Sequence, residues 1–106
     1  MKGSYLKHQK LLDSLEARIV ERGIYDHILR EWEYYHPRKG RREVDLVAHY
    51  RNGVLLFEVK SGSHNGALKQ LRISGDYYVN ILGYDNARLF LYTPKGIRYK
   101  GIIRKR

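Results

Sequence analysis

The chain has no cysteine. That excludes a disulfide framework and any cysteine-ligated zinc site, and it is compatible with a reducing compartment. No apolar run approaches the length of a membrane span, and the N-terminus lacks the apolar core of a signal peptide. A soluble, cytoplasmic protein with no membrane partner is therefore expected. Proline is scarce: Pro37 and Pro94 are the only two, and both fall in stretches that read as turns. Internal repeats and low-complexity segments are absent as well, which excludes solenoids and linkers. Acids are few. Eleven Asp and Glu stand against 21 Lys and Arg, a formal charge of +10 on 106 residues. A field of that sign favours a polyanion, nucleic acid ahead of an anionic membrane surface, because the basic residues cluster off any amphipathic helix. The clusters are Arg38-Lys39-Gly40-Arg41-Arg42 and Arg104-Lys105-Arg106. The length suits a single domain over residues 1–106 with one core.

What is present is a legible order of elements, α-β-β-β-α-β-β. Ser4 can cap a helix running to about Gly23, with Tyr5, Leu12, Leu15 and Ile19 on one stripe and Glu16 set into it. Residues 28–35 alternate apolar and polar and predict a strand, with Ile28, Trp32 and Tyr34 on one face. Residues 43–50 and 54–60 are rich in β-formers, and Asn52-Gly53 between them predicts a tight hairpin turn. A second helix is expected over about 67–82, its stripe running through Ala67, Gln70, Leu71, Ser74, Tyr77, Tyr78 and Ile81. Gly75 inside that helix suits close packing on a sheet. Residues 87–93 and 97–103 form a last hairpin around Pro94-Lys95-Gly96. A meander of three strands, a crossover helix and further strands predict an α/β fold, a mixed central sheet flanked by helices.

The hairpin carries the chemistry. With Asn52 and Gly53 as the turn, Val47 would face Glu58 and Asp45 would face Lys60. Period-two alternation then lines Asp45, Val47, Leu56, Glu58 and Lys60 along one face. Glu58 and Lys60 end a strand that is otherwise apolar, as a strand buried on both faces is. Buried charges are costly unless paired or bound to a metal. Asp45 and Glu58 can supply two carboxylates, and the carbonyl of Val59 a third oxygen, to a hard cation such as Mg²⁺ or Mn²⁺. Lys60 can orient a water or neutralise developing charge, and Glu16 can complete the outer shell.

This arrangement resembles the PD-(D/E)XK nuclease superfamily. Val44-Asp45 matches the first acidic element, Glu58-Val59-Lys60 the E-X-K element, and Glu16 the helix glutamate of many members. Within that superfamily the pattern is most similar to the archaeal Holliday junction resolvase type, on the pair Glu16 and Arg18 and the run Glu58-Val59-Lys60-Ser61. The resemblance implies a restriction-endonuclease-like core and a metal-dependent DNA endonuclease acting on branched DNA as a homodimer. It implies Asp45 and Glu58 as metal ligands, Lys60 as the catalytic lysine and Glu16 as an auxiliary acid.

Phosphate contacts are expected from Arg18, Arg38, Lys39, Arg41, Arg42, Lys69 and Arg72. Ser61 and His64, in the loop after the E-X-K strand, and Gln70, on the sheet side of the second helix, are further candidates. The remaining histidines, His8, His27, His36 and His49, show no metal-ligand spacing. Two other functions fit the same basic surface: a non-catalytic nucleic-acid-binding module, and a nuclease subunit whose target is chosen by a protein partner.

Overall fold

The structure, a computed structural model, describes residues 2–105. Arg106 of the C-terminal basic cluster lies outside the described residues. The elements are α1 (Lys2–Arg22), β1 (His27–His36), β2 (Gly40–Tyr50), β3 (Gly53–Val59), α2 (Ala67–Asp76), β4 (Asn86–Thr93) and β5 (Gly96–Arg104). The helix α2 runs on into a π-helical stretch, Tyr77–Ile81. This is the expected α/β order. The five strands form one mixed sheet in chain order, antiparallel throughout except for the parallel pair β3–β4. A parallel neighbour needs a crossover, and α2 supplies it.

The helices lie on opposite faces. Leu12, Leu15 and Ile19 of α1 pack on Leu46, Ala48, Phe57, Val59 and Tyr92. Leu71, Tyr78 and Val79 from the second helical segment pack on Val47, Val54, Leu56, Ala87 and Leu89. β3 is thus covered on both sides, which is why its sequence is almost unbroken in apolar residues. Tyr5, expected on the α1 stripe, is 61% exposed. The helix begins at Lys2, so Ser4 lies within it. Leu12 is fully buried. Leu12→Ala should cost about 2–5 kcal/mol, read as a lower midpoint in urea unfolding; an unchanged midpoint would mean that α1 is not docked as described.

Two glycines show why close approach matters. A Cβ on Gly75 would lie 2.6 Å from Ile103 Cδ1 and 3.1 Å from Leu89 Cδ2, so its absence lets α2 settle on the sheet. Gly53 was expected in the turn but belongs to β3. Tyr50 pairs with Gly53, and Arg51 and Asn52 make the turn, with Arg51 at φ 54°. Gly53 pairs with Asn86 of β4, and its lack of a Cβ permits the approach, since a Cβ would sit 2.8 Å from the Asn86 side-chain oxygen. The partner of Val47 is therefore Leu56 rather than Glu58. A shift of two residues conserves the faces, because the side-chain period is two.

Candidate active site

Alternation along β1 and β2 reverses partway, and the site lies at the reversal. Leu29 and Val47 pack with α2, while Ile28, Leu46 and Ala48 pack with α1. Beyond Glu31 and Asp45 the even-numbered residues take the α2 side: Tyr34 and Val44 join that cluster. The Tyr34 hydroxyl meets Ser74 Oγ at 2.7 Å, and His36 Nε2 meets Asp76 Oδ2 at 2.9 Å. Ile28 and Tyr34 therefore face opposite ways, contrary to simple alternation. Glu31 carries the reversal on β1 with φ 50°, a left-handed conformation costing about 1 kcal/mol or more for a residue with a side chain.

At the same level β2 parts from β3. Their pairing ends at Leu46 and Phe57. Asp45 then turns its side chain across the gap, and its Oδ2 accepts the Val59 N–H at 2.8 Å. The predicted pairing of Asp45 with Lys60 is not formed. Instead the Lys60 N–H donates to the Tyr92 carbonyl at 3.0 Å, holding Lys60 to the parallel neighbour. In extended backbone the N–H and C=O of one residue point the same way. The Val59 carbonyl therefore faces the gap that its N–H faces.

Asp45, Glu58 and Lys60 line a single cavity of about 400 Å³, together with Glu33, Arg41, Arg42, Glu43 and Gln70. Glu58 is only 6% exposed. Burial first, and the negative charge of Asp45 second, push its carboxyl up to about 8, while the Lys60 ammonium pulls it back. Glu43 is also raised, by burial and then by Asp45, Glu31 and Glu33. The cavity thus sets four acids against three bases in a chain where bases outnumber acids. A cation would relieve that repulsion. Asp45 and Glu58 bring two carboxylates and Val59 a carbonyl toward the gap, a donor set that fits a hard divalent ion retaining several waters. Among the described residues, no group of three or more His, Cys, Asp or Glu stands close enough to hold a metal by itself.

The other expected residues divide. Arg41, Arg42 and Gln70 reach the cavity. Arg42 also binds the Lys39 carbonyl at 3.1 Å and lies 3.4 Å from Gln70 Oε1, while Arg41 Nη2 sits 2.9 Å from both oxygens of Glu33. Arg38 and Lys39 are exposed on the β1–β2 turn. That turn is held to α2 through His36, whose Nδ1 accepts the Arg38 N–H at 3.1 Å; its Nε2 therefore carries the proton and donates it to Asp76. Lys69 and Arg72 are exposed on α2; Ser61 and the exposed His64 lie in the loop before it. Glu16 is elsewhere. It accepts from Arg30 at 3.1 Å beside Asp13, and it does not line the cavity. Arg18 lines a different cavity, near the C-terminal end of α1.

Sequence reasoning passed over His8, whose Nε2 lies 3.5 Å from Asp45 Oδ2. The signal was available: His8 stands four residues before Leu12, so it continues the buried stripe of α1 back toward the acids. Glu33 and Glu43 carried no such signal, since strand glutamates ordinarily face solvent.

No family model and no curated protein matches the chain. Among solved structures, the crystal structure of SSO0001, an uncharacterised archaeal protein, is similar with a TM-score of 0.52 at 20% identity. The similarity covers 92% of this chain and 50% of that one, so this chain spans about half the length of the protein it matches. At that identity the likeness shows the fold.

Proposed function

We propose that this chain is a metal-dependent DNA endonuclease that hydrolyses phosphodiester bonds, selective for branched DNA and working as a homodimer. The observation that carries the reading is Glu58: an acid buried beside a second acid, at the point where two strands part, with a lysine two residues on. Stability alone disfavours such a placement. The resemblance to PD-(D/E)XK nucleases supports it through the same three residues.

Asp45, Glu58 and the Val59 carbonyl would hold Mg²⁺ or Mn²⁺, which when bound polarises a phosphoryl oxygen and acidifies water. The chain's own residues do the rest. The Val59 N–H donates to Asp45 Oδ2, which holds the carboxylate in place across the gap. Lys60 places a positive charge where the phosphorane gathers negative charge, and it can hydrogen-bond the attacking water. Arg42 and Gln70 line the wall of the cavity. Arg38, Lys39, Lys69 and Arg72 give phosphate contacts that set the register of the duplex. A branched junction needs two symmetric cuts, hence two copies; a protein partner supplying target choice is compatible with so small a domain. A nucleic-acid substrate places the work inside the cell. Among the described residues no helix is long and apolar enough to cross a membrane.

A second reading, a non-catalytic nucleic-acid-binding module, rests on the same basic surface, with 21 Lys and Arg against 11 Asp and Glu. It predicts salt-sensitive binding that is indifferent to chelator. Both readings are tested by incubating end-labelled four-way junction, flap, single-stranded and linear duplex DNA with the protein in Mg²⁺, beside Asp45→Asn. Paired symmetric nicks in the junction, absent in the variant, are the expected result. Cutting of another substrate keeps the nuclease and drops the junction. Binding without any cutting favours the module.

A further inference from the structure

The face of the sheet that carries α1 is only partly covered. Between the C-terminal half of α1 and β5 lies an open groove of about 770 Å³, with no residue of the acidic cavity in its lining. Its floor is apolar and aromatic. Leu55 pairs with Arg88 and Phe57 with Phe90 across the parallel ladder, and the two phenylalanine rings stack at 4.9 Å with 19° between their planes. Phe57 is buried, while Phe90 is half-exposed and forms the accessible part. Three arginines stand round it: Arg18 and Arg22, one turn apart on α1, and Arg88 on β4. Glu21 is the one acid in the lining. Among the described residues, none of the three guanidiniums makes a salt bridge or a side-chain hydrogen bond, whereas Arg30 and Arg41 are taken up by Asp13 and Glu33.

We infer that this groove binds unpaired, single-stranded nucleic acid, a base stacking on Phe90 while Arg18, Arg22 and Arg88 hold the flanking phosphates. Its chemistry selects that occupant. An aromatic floor takes any base, because every base has a π-face, and arginines complement the backbone charge. An apolar helix from a partner would cover the floor but strand three guanidiniums without counter-charge. A second copy seated by a two-fold axis would set these arginines against their own equivalents. The groove and the acidic cavity lie on opposite faces of β3, since Phe57 packs with α1 and Glu58 follows it in the strand. The binding site stands whether or not the acids cut.

The test is fluorescence anisotropy in EDTA with a fluorescein-labelled oligothymidine and a duplex of equal length, using the full chain, Phe90→Leu and the double variant Arg18→Gln/Arg22→Gln. Phe90→Leu should weaken single-strand binding about tenfold, within the range of one lost base stack, and leave duplex binding unchanged. In the double variant the slope of log affinity against log salt should fall by about 1.4, two phosphate contacts on a single strand. Single-strand binding that is wild-type in both variants overturns the inference. So does a dimer in sedimentation velocity that the double variant abolishes, which would assign the groove to a second copy. Should Phe90→Leu fail to fold, photo-crosslinking of the unmutated chain to iodouracil-substituted oligonucleotide decides: adducts at Tyr50 or Phe90 support the site, and adducts confined to other surfaces overturn it.

Discussion

Glu58→Gln should leave a protein that cuts nothing and yet is more stable than the parent at alkaline pH. The sign follows from linkage. The folded-state carboxyl is raised to about 8 from an ordinary value of 4.5. Between those values the folded chain holds a proton that the unfolded chain releases, so stability falls as pH rises through that window and the loss is complete above it. The amide has no such window. Parent and variant should therefore melt together near pH 4.5 and diverge up to pH 8, by on the order of 4 kcal/mol at full separation. In a domain of this size that is a difference in Tm of ~10 °C or more. Thermal melts across the pH range read it directly. Equal melting at pH 8.5 would mean that Glu58 is not held in a costly place, and the case for a built site would lose its strongest support. The same melts test the cation without any cleavage assay. Mn²⁺ or Mg²⁺ that binds the folded chain should stabilise the parent at pH 8 and have little effect on the variant.

Lys60→Met should lower the single-turnover cleavage rate by about 10²–10⁴-fold, the usual range for a group assisting proton transfer or charge stabilisation. Methionine keeps most of the stem's bulk and removes the charge. Lys60 is half-buried beside Glu58, and its ammonium is the group that restrains the rise of the Glu58 carboxyl. Its loss therefore acts twice, on the reacting phosphate and on the readiness of Glu58 to ionise. The second effect is recoverable: raising the pH or the metal concentration should restore cation binding but not the rate. A rate within a few-fold of the parent would exclude Lys60 from the chemistry and leave the acids to act alone.

Much of this was legible in the residues. The seven elements and their order follow from helical and strand periodicity and from turn residues, which act over short range. The two-sided burial of β3 was readable in its apolar run. The meeting of Asp45, Glu58 and Lys60 was predicted from the wrong turn: the even difference in register keeps Val47 and Leu56 on one face, but Asp45 lies where alternation reverses and reaches the cavity across the gap. Glu16 and His8 show the limit. Both lie along the inner side of α1, and only the angle at which that helix crosses the sheet decides that His8 meets Asp45 while Glu16 meets Arg30.

By itself, then, the sequence determined an α/β domain of strong positive charge, with two acids and a lysine brought to one place by a hairpin. Periodicity and turn chemistry are local, and they suffice for that. Only the tertiary structure decided where alternation reverses, that β2 parts from β3 so that Asp45 binds a backbone N–H across the gap, and how deeply Glu58 is buried. Each of these depends on how strands twist against two helices packed on opposite faces. Residues far apart in the chain set that twist together, so no window of sequence contains it.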